Sequence, residues 1–153
     1  MIRKDLEQAL AIEEKSYSDP WQESDFVSAL RQRNIVGVVV EDDKYNIYGY
    51  MFYELRQNEY FISNITVHPD YTRLGIGTYL INKLKTKLYA GFSNRRVISI
   101  NVVDTNLKAQ LFLKSKGFIA TRILKDYYDT VDNDAYHMEY IIHEESNIDY
   151  QEI

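Results

Sequence analysis

The sequence predicts an α/β fold: a mixed, mostly antiparallel sheet of six to seven strands with four helices. Three observations predict it. Two short amphipathic segments open the chain, three β-branched or aromatic runs then follow one another with only turns between them, and from residue 75 onward helical spacing alternates with strand runs. With 153 residues the chain has the length of one domain, enough for a core and too little for two.

Taken in order, Leu6, Ala9, Leu10 and Ile12 recur at steps of three and four, one face of a helix, with Asp5 as its expected cap. Asp19-Pro20 ends that segment, and Ser24 is the expected cap of a second helix carrying Phe26, Ala29 and Leu30. The run Ile35-Val36-Gly37-Val38-Val39-Val40 is too β-branched for a comfortable helix, and Asp42-Asp43-Lys44 turns it into a second run over 47–55. A third strand over 60–67 closes at His68-Pro69-Asp70, since proline has no N–H to extend a ladder. Three successive strands imply an antiparallel meander.

Between residues 75 and 88, Ile76, Leu80, Ile81, Leu84 and Leu88 repeat at helical spacing, and Gly91 stands where a left-handed C-terminal cap is common. Residues 97–103 read as a strand. Asp104-Thr105-Asn106 then caps a helix with Ala109, Phe112 and Leu113 on one face, ended by Gly117, with Lys114 and Lys116 placed favourably for its dipole. Strands over about 118–124 and 135–143 finish the order, joined by a polar loop holding Tyr127 and Tyr128. The domain is expected over 1–143. Glu144, Glu145, Asp149 and Glu152 make the last ten residues an acidic, solvated tail.

Composition removes several classes of function. The absence of cysteine excludes a disulfide framework, a thiolate metal site and a cysteine nucleophile. His68, His137 and His143 are the only histidines and offer no metal-ligand spacing, so no metal is expected. Eighteen basic against twenty-three acidic residues give a net charge of -5, the wrong sign for a general nucleic-acid binder. No apolar run reaches bilayer length and no signal-peptide pattern opens the sequence, so neither a membrane partner nor export is expected and a cytoplasmic home is the default. Basic residues nevertheless gather at Arg73, Lys83, Lys85, Lys87, Arg95 and Arg96, around a glycine motif.

That motif is Arg73-Leu74-Gly75-Ile76-Gly77-Thr78. Two glycines alone could serve only a tight turn. Here they follow a strand, open a helix and adjoin an arginine, so main-chain N–H groups and the helix dipole favour a diphosphate at one place. A Walker A loop would need a lysine after Gly77, where Thr78 stands, and a dinucleotide fingerprint would need glycine at Leu80.

The longer stretch Val67-His68-Pro69-Asp70-Tyr71-Thr72-Arg73-Leu74-Gly75-Ile76-Gly77-Thr78-Tyr79-Leu80 resembles the acetyl-coenzyme A signature of the GNAT acetyltransferases, and the element order resembles their fold over almost the whole chain. The resemblance implies that acetyl-CoA is the cosubstrate. It assigns cofactor binding to Ile65 and Val67 on the strand before the signature, to Arg73, Leu74, Gly75, Ile76, Gly77 and Thr78 in the loop, and to Asn106, which is also a natural helix cap. Thr72 departs from the Gln or Arg with which the family signature opens.

Within that superfamily, three segments are similar to the N-terminal protein acetyltransferases, above all those acting on the N-terminal alanine of a ribosomal protein. Asp19-Pro20-Trp21 lies where such enzymes border the peptide groove, Asn106-Leu107-Lys108-Ala109-Gln110-Leu111-Phe112-Leu113-Lys114-Ser115-Lys116-Gly117-Phe118 resembles their last helix, and Lys125-Asp126-Tyr127-Tyr128 resembles their tyrosine pair. Trp21, Tyr127 and Tyr128 are therefore the substrate-binding candidates, although Trp21 could equally staple helices to the sheet and a tyrosine pair is unsurprising among 14 tyrosines.

The family's glutamate base and tyrosine acid fall at Asn101 and Leu113, neither of which moves a proton near neutral pH. Asn101 and Tyr128 are the catalytic candidates in their place, with Glu59, Tyr60 and Tyr127 as further routes for a proton. The expected reaction is direct attack, in a ternary complex, by a protein or peptide N-terminus. The alternatives are a small-molecule amine or a catalytically weak CoA-binding module, and the expected state is a monomer or weak dimer.

Overall fold

A computed structural model of the chain describes residues 1–91, 93–127 and 133–142, so Tyr128, His143 and the acidic tail lie outside the described residues. Six strands and four α-helices are present among the described residues, in the order read from the sequence. They divide into two compact units, one made of Met1–Arg56 and Tyr60–Leu84, the other of Gln57–Glu59 and Lys85–Ile153.

The first unit opens with α1 (Leu6–Ser16) and α2 (Glu23–Arg31), followed by β1 (Ile35–Glu41), β2 (Ile47–Leu55) and β3 (Glu59–Val67). Asp5 stands at the N-cap position of α1 as expected but without a side-chain cap bond, and the second cap differs from expectation. Asp5 is buried, and its carboxylate accepts from the Ile2 N–H at 2.7 Å because a 3-10 turn over Arg3–Asp5 precedes α1. Ser24 lies inside α2, and Asp25 accepts from the Gln22 N–H at 2.7 Å, so an acidic side chain one turn in does the capping. The strands form the expected meander, β1 antiparallel to β2 and β2 antiparallel to β3, with Val38 opposite Met51 and Met51 opposite Ile65. Strict alternation of burial along β3 puts Ile62, Asn64 and Thr66 inward. The helices cover the strands with Leu6, Ala9, Ile12, Phe26 and Ala29 against Ile47, Tyr50 and Phe52.

After β3 comes α3 (Ile76–Tyr89), whose Leu80, Ile81, Leu84 and Leu88 are buried at the spacing the sequence showed, with Gly91 left-handed beyond it. The second unit contains β4 (Val97–Val103), α4 (Leu107–Ser115), β5 (Ile119–Leu124) and β6 (Ala135–Ile141). Here β6 is antiparallel to both β4 and β5, which places Asn101 opposite His137 and Ser99 opposite Glu139. Asn106 caps α4 as expected, accepting from the Ala109 N–H at 3.2 Å. The helix ends at the left-handed Gly117, and its last carbonyls find a cation that sequence did not suggest: Lys85 Nζ donates to the Lys116 carbonyl at 2.5 Å. Burial, with Lys116 nearby, holds the Lys85 ammonium below the usual lysine range.

Candidate active site

The loop between β3 and α3 carries the motif residues. His68 Nδ1 accepts from the Asp70 N–H at 3.1 Å and starts a short turn over Pro69–Tyr71, after which Arg73 (φ 64°) and Gly75 (φ 83°) both take left-handed conformations. Alternation of this kind is the backbone pattern of anion-binding nests. A Cβ built on Gly75 meets nothing within 4 Å, so glycine stands there for its φ and not for room. The helix ladder begins with the Tyr79 N–H donating to the Gly75 carbonyl at 2.8 Å, which leaves the earlier N–H groups of the first turn to external acceptors. Arg73 is exposed and has no ion pair or side-chain hydrogen bond among the described residues. A partnerless guanidinium beside a helix N-terminus suits a phosphate.

What fixes this loop against the strands is Gly49 on β2, paired with Val67. A Cβ at Gly49 would lie 2.8 Å from Ile76 Cγ2 and 3.0 Å from the Thr66 carbonyl oxygen. Only glycine lets the first residue of α3 settle onto β2 and β3. Sequence reasoning passed over it, though a glycine inside an otherwise bulky strand, Asn46-Ile47-Tyr48-Gly49-Tyr50-Met51-Phe52, is a signal of close approach.

Two residues of α1 and its end reach β3. Tyr17 Oη donates to the Ile65 carbonyl at 2.9 Å, so the acceptor half of that residue is engaged by the protein. Glu13 is 2% exposed and gathers four donors: the Trp21 N–H at 3.1 Å, Asn64 Nδ2 at 3.2 Å, Thr66 Oγ1 at 3.4 Å, and the Tyr50 hydroxyl in a short contact. Burial and the Glu13 carboxylate together push the Tyr50 hydroxyl far above the usual tyrosine range. The Trp21 ring is half-buried and packs on Phe26 at 5.2 Å and Phe52 at 5.3 Å. Trp21 thus does serve as a staple, and its backbone is tied to the carboxylate that also holds β3.

In the second unit, Asn101 is joined to Tyr127, with 3.0 Å between Asn101 Nδ2 and Tyr127 Oη. Asn101 Oδ1 lies 2.7 Å from His137 Nδ1, and His137 Nε2 lies 3.1 Å from Glu139 Oε1. His137 is 4% exposed. Glu59 accepts from Ser99 Oγ at 2.8 Å. The ligand-type atoms of Glu59, His137 and Glu139 fall within 4.8 Å of one another. With both ring nitrogens of His137 and a Glu59 oxygen engaged by protein partners, the cluster is satisfied as a hydrogen-bonded chain. Leu113 is buried at 2% in the core and presents no polar group.

A sequence model of the acetyltransferase (GNAT) family matches residues 4–118. The chain belongs to the GNAT acetyltransferase family. It is 29% identical over 130 residues, 84% of each chain, to the [ribosomal protein bS18]-alanine N-acetyltransferase of Escherichia coli K12. The crystal structure of the ribosomal-protein-S18-alanine N-acetyltransferase from Escherichia coli superposes with a TM-score of 0.80 at 25% identity, over 93% of this chain and 90% of that one. Arabidopsis thaliana NAA60 in complex with acetyl-CoA shares the fold at a TM-score of 0.76 and 20% identity, over 93% of this chain and 96% of that one.

Family membership makes the chain an acetyl-CoA-dependent N-acetyltransferase, and it sorts the expected site residues. Ile65, Val67, Arg73, Leu74, Gly75, Ile76, Gly77 and Thr78 lie together in the first unit, from the end of β3 to the first turn of α3. Trp21 also belongs to that unit, whereas Asn101, Asn106 and Tyr127 belong to the second. Asn101 carries chemical weight here, because the structure surrounds that amide with groups that sequence reading did not connect to it. His137 and Glu139, two apart on one strand, share a face, and that spacing was the available signal.

Proposed function

We propose that the protein transfers the acetyl group of acetyl-CoA to the N-terminal amine of a protein or peptide, by direct attack in a ternary complex. The observation that carries the acceptor is the similarity, over 84% of both chains, to an enzyme that acts on the N-terminal alanine of a ribosomal protein. The left-handed pair at Arg73 and Gly75, with the unpartnered arginine, supports placing the diphosphate of acetyl-CoA before α3. The loop residues Leu74, Ile76, Gly77 and Thr78 would contribute main-chain donors, and Val67 and Ile65 would line the pantetheine arm with their remaining strand groups.

The reaction balances without a covalent enzyme intermediate. The neutral amine attacks the thioester carbonyl, a C–N bond forms as the C–S bond breaks, and the proton released from nitrogen ends on the coenzyme A sulfur. An N-terminal amine, with a pKa near ~8, is partly neutral at physiological pH, whereas a lysine amine near ~10.4 is not. This reduces the demand for a strong base at Asn101. Tyr127 and Trp21 are each a candidate contact for the acceptor, since a ring covers backbone and a hydroxyl bonds a carbonyl. Asn106 would reach the pantetheine with the amide end that its cap leaves over.

The test is acetylation of a panel of peptides with different first residues, with polyamines and a peptide blocked at its N-terminus as comparisons. Acetylation at the α-amine of some peptides and none of the blocked one is expected. A clear preference for polyamines would overturn the acceptor assignment.

A further inference from the structure

We infer that His137 is a positioning residue for acetyl transfer, whose charge state sets which end of the Asn101 amide faces Tyr127. An amide side chain has one donor end and one acceptor end. Asn101 stands between two partners, His137 Nδ1 at 2.7 Å and Tyr127 Oη at 3.0 Å, so whatever it offers one it withholds from the other.

The arrangement in the structure gives Oδ1 to His137 and Nδ2 to Tyr127. Oδ1 only accepts, so His137 Nδ1 carries a hydrogen. If the ring were neutral, Nε2 would then hold a bare lone pair 3.1 Å from a Glu139 carboxylate oxygen, an unfavourable pairing. With both nitrogens protonated, each makes a charge-assisted bond, one to Asn101 and one to Glu139. An amide with Oδ1 turned to the ring pairs with the doubly protonated imidazole, and the reversed amide pairs with a ring protonated on Nε2 alone. In the neutral form the hydrogen stays on Nε2 to satisfy Glu139, Nδ1 becomes an acceptor, and Asn101 must turn its Nδ2 to the ring. Oδ1 then faces Tyr127 and takes that hydroxyl's hydrogen.

The consequence lies at Tyr127. When His137 is charged, Tyr127 receives a hydrogen bond from Asn101, and its own hydrogen is directed elsewhere; when His137 is neutral, Tyr127 spends that hydrogen on Asn101. No atom of the reaction passes to His137. The groups facing the ring from each neighbouring element are Glu139 on β6, Asn101 on β4, Glu59 at the start of β3, and Arg122 at the register position on β5. A carboxylate, an imidazole and an amide thus occupy the ground where related enzymes are read to keep a single glutamate.

This inference rests on the acetyl-transfer reading for its kinetic consequence and on geometry alone for the coupling, so the experiment has an arm for each. In the first, side-chain 15N resonances of His137 and Asn101 are followed over about pH 5 to 9. The Asn101 amide signals should move with the same midpoint as the His137 ring, and His137→Gln should abolish the movement. Asn101 signals indifferent to the His137 titration would overturn the inference, whatever the activity.

In the second arm, His137→Gln should lower kcat about tenfold, the worth of one hydrogen bond, and remove the matching inflection from the pH profile while leaving the KM for acetyl-CoA unchanged. In a Tyr127→Phe background the same substitution should add almost nothing, because the two act in series. An equal loss in both backgrounds would contradict action through Tyr127. Coupled titration in a protein that acetylates no peptide N-terminus would sustain the positioning chain and overturn the acceptor assignment instead.

Discussion

The loop before α3 and the polar chain around Asn101 are built on opposite plans. The loop uses main chain: two left-handed residues, a helix start, and one arginine with no partner among the described residues. Side chains from different strands and a loop make the polar chain, and each is satisfied only by its neighbours. A site of main-chain donors tolerates exchange of the side chains around it but not of its glycines. A site of linked side chains instead ties an amide to a carboxylate through an imidazole.

The first way to break the comparison lies at Glu13. Glu13→Ala would strand the Trp21 N–H, Asn64 and Tyr50 in a dry interior, costing on the order of 3 kcal/mol, or about 6–12 °C in Tm. Calorimetric unfolding measures this, with Glu13→Gln losing much less because one acceptor oxygen remains. A smaller loss is expected for Gly49→Val, about 1–3 kcal/mol from the forced contacts with Ile76 and the Thr66 carbonyl, together with weaker acetyl-CoA binding because the start of α3 is displaced. Full affinity in a destabilised Gly49→Val protein would show that the helix start does not position the cofactor.

Arg73→Ala should separate binding from folding. Coenzyme A affinity should fall about tenfold by titration calorimetry, the worth of a charge-assisted bond, while Tm stays put because the exposed side chain has no ion pair or hydrogen bond among the described residues. The smallest effect is expected at Asn106→Ala, about 1 kcal/mol of stability from the lost cap on Ala109. Affinity for coenzyme A measured on the same variant sharpens the comparison: a drop beyond that of a neutral surface change assigns Asn106 to the pantetheine, and no drop leaves it a cap.

The same contrast explains what was legible in the sequence. Element order, the register-setting turns and the signature loop were readable because each depends on local chemistry: β-branched runs, helical spacing, and glycine where φ turns positive. Asp5 was placed correctly at the α1 cap although its carboxylate bonds back across a 3-10 turn, and Ser24 was misread, since an acid one turn in can replace a capping residue without changing the helix. Gly49 could have been flagged from its place in a bulky strand. Glu13 could not, because its meaning arises from Asn64, 51 positions away and brought near only when α1 packs on β3, and for His137 the sequence showed only the spacing to Glu139 and not the Asn101 amide 36 positions away. Asn101 was singled out in the sequence as a catalytic candidate, and only the fold shows that an imidazole stands beside it.

The most direct test of the central claim is a backbone 15N–1H titration with coenzyme A. Binding through the main chain before α3 predicts that the amides of Leu74, Gly75, Ile76, Gly77 and Thr78 shift first and furthest, saturating with the rest of the protein's response. Saturating coenzyme A that leaves those five amides in place would contradict it.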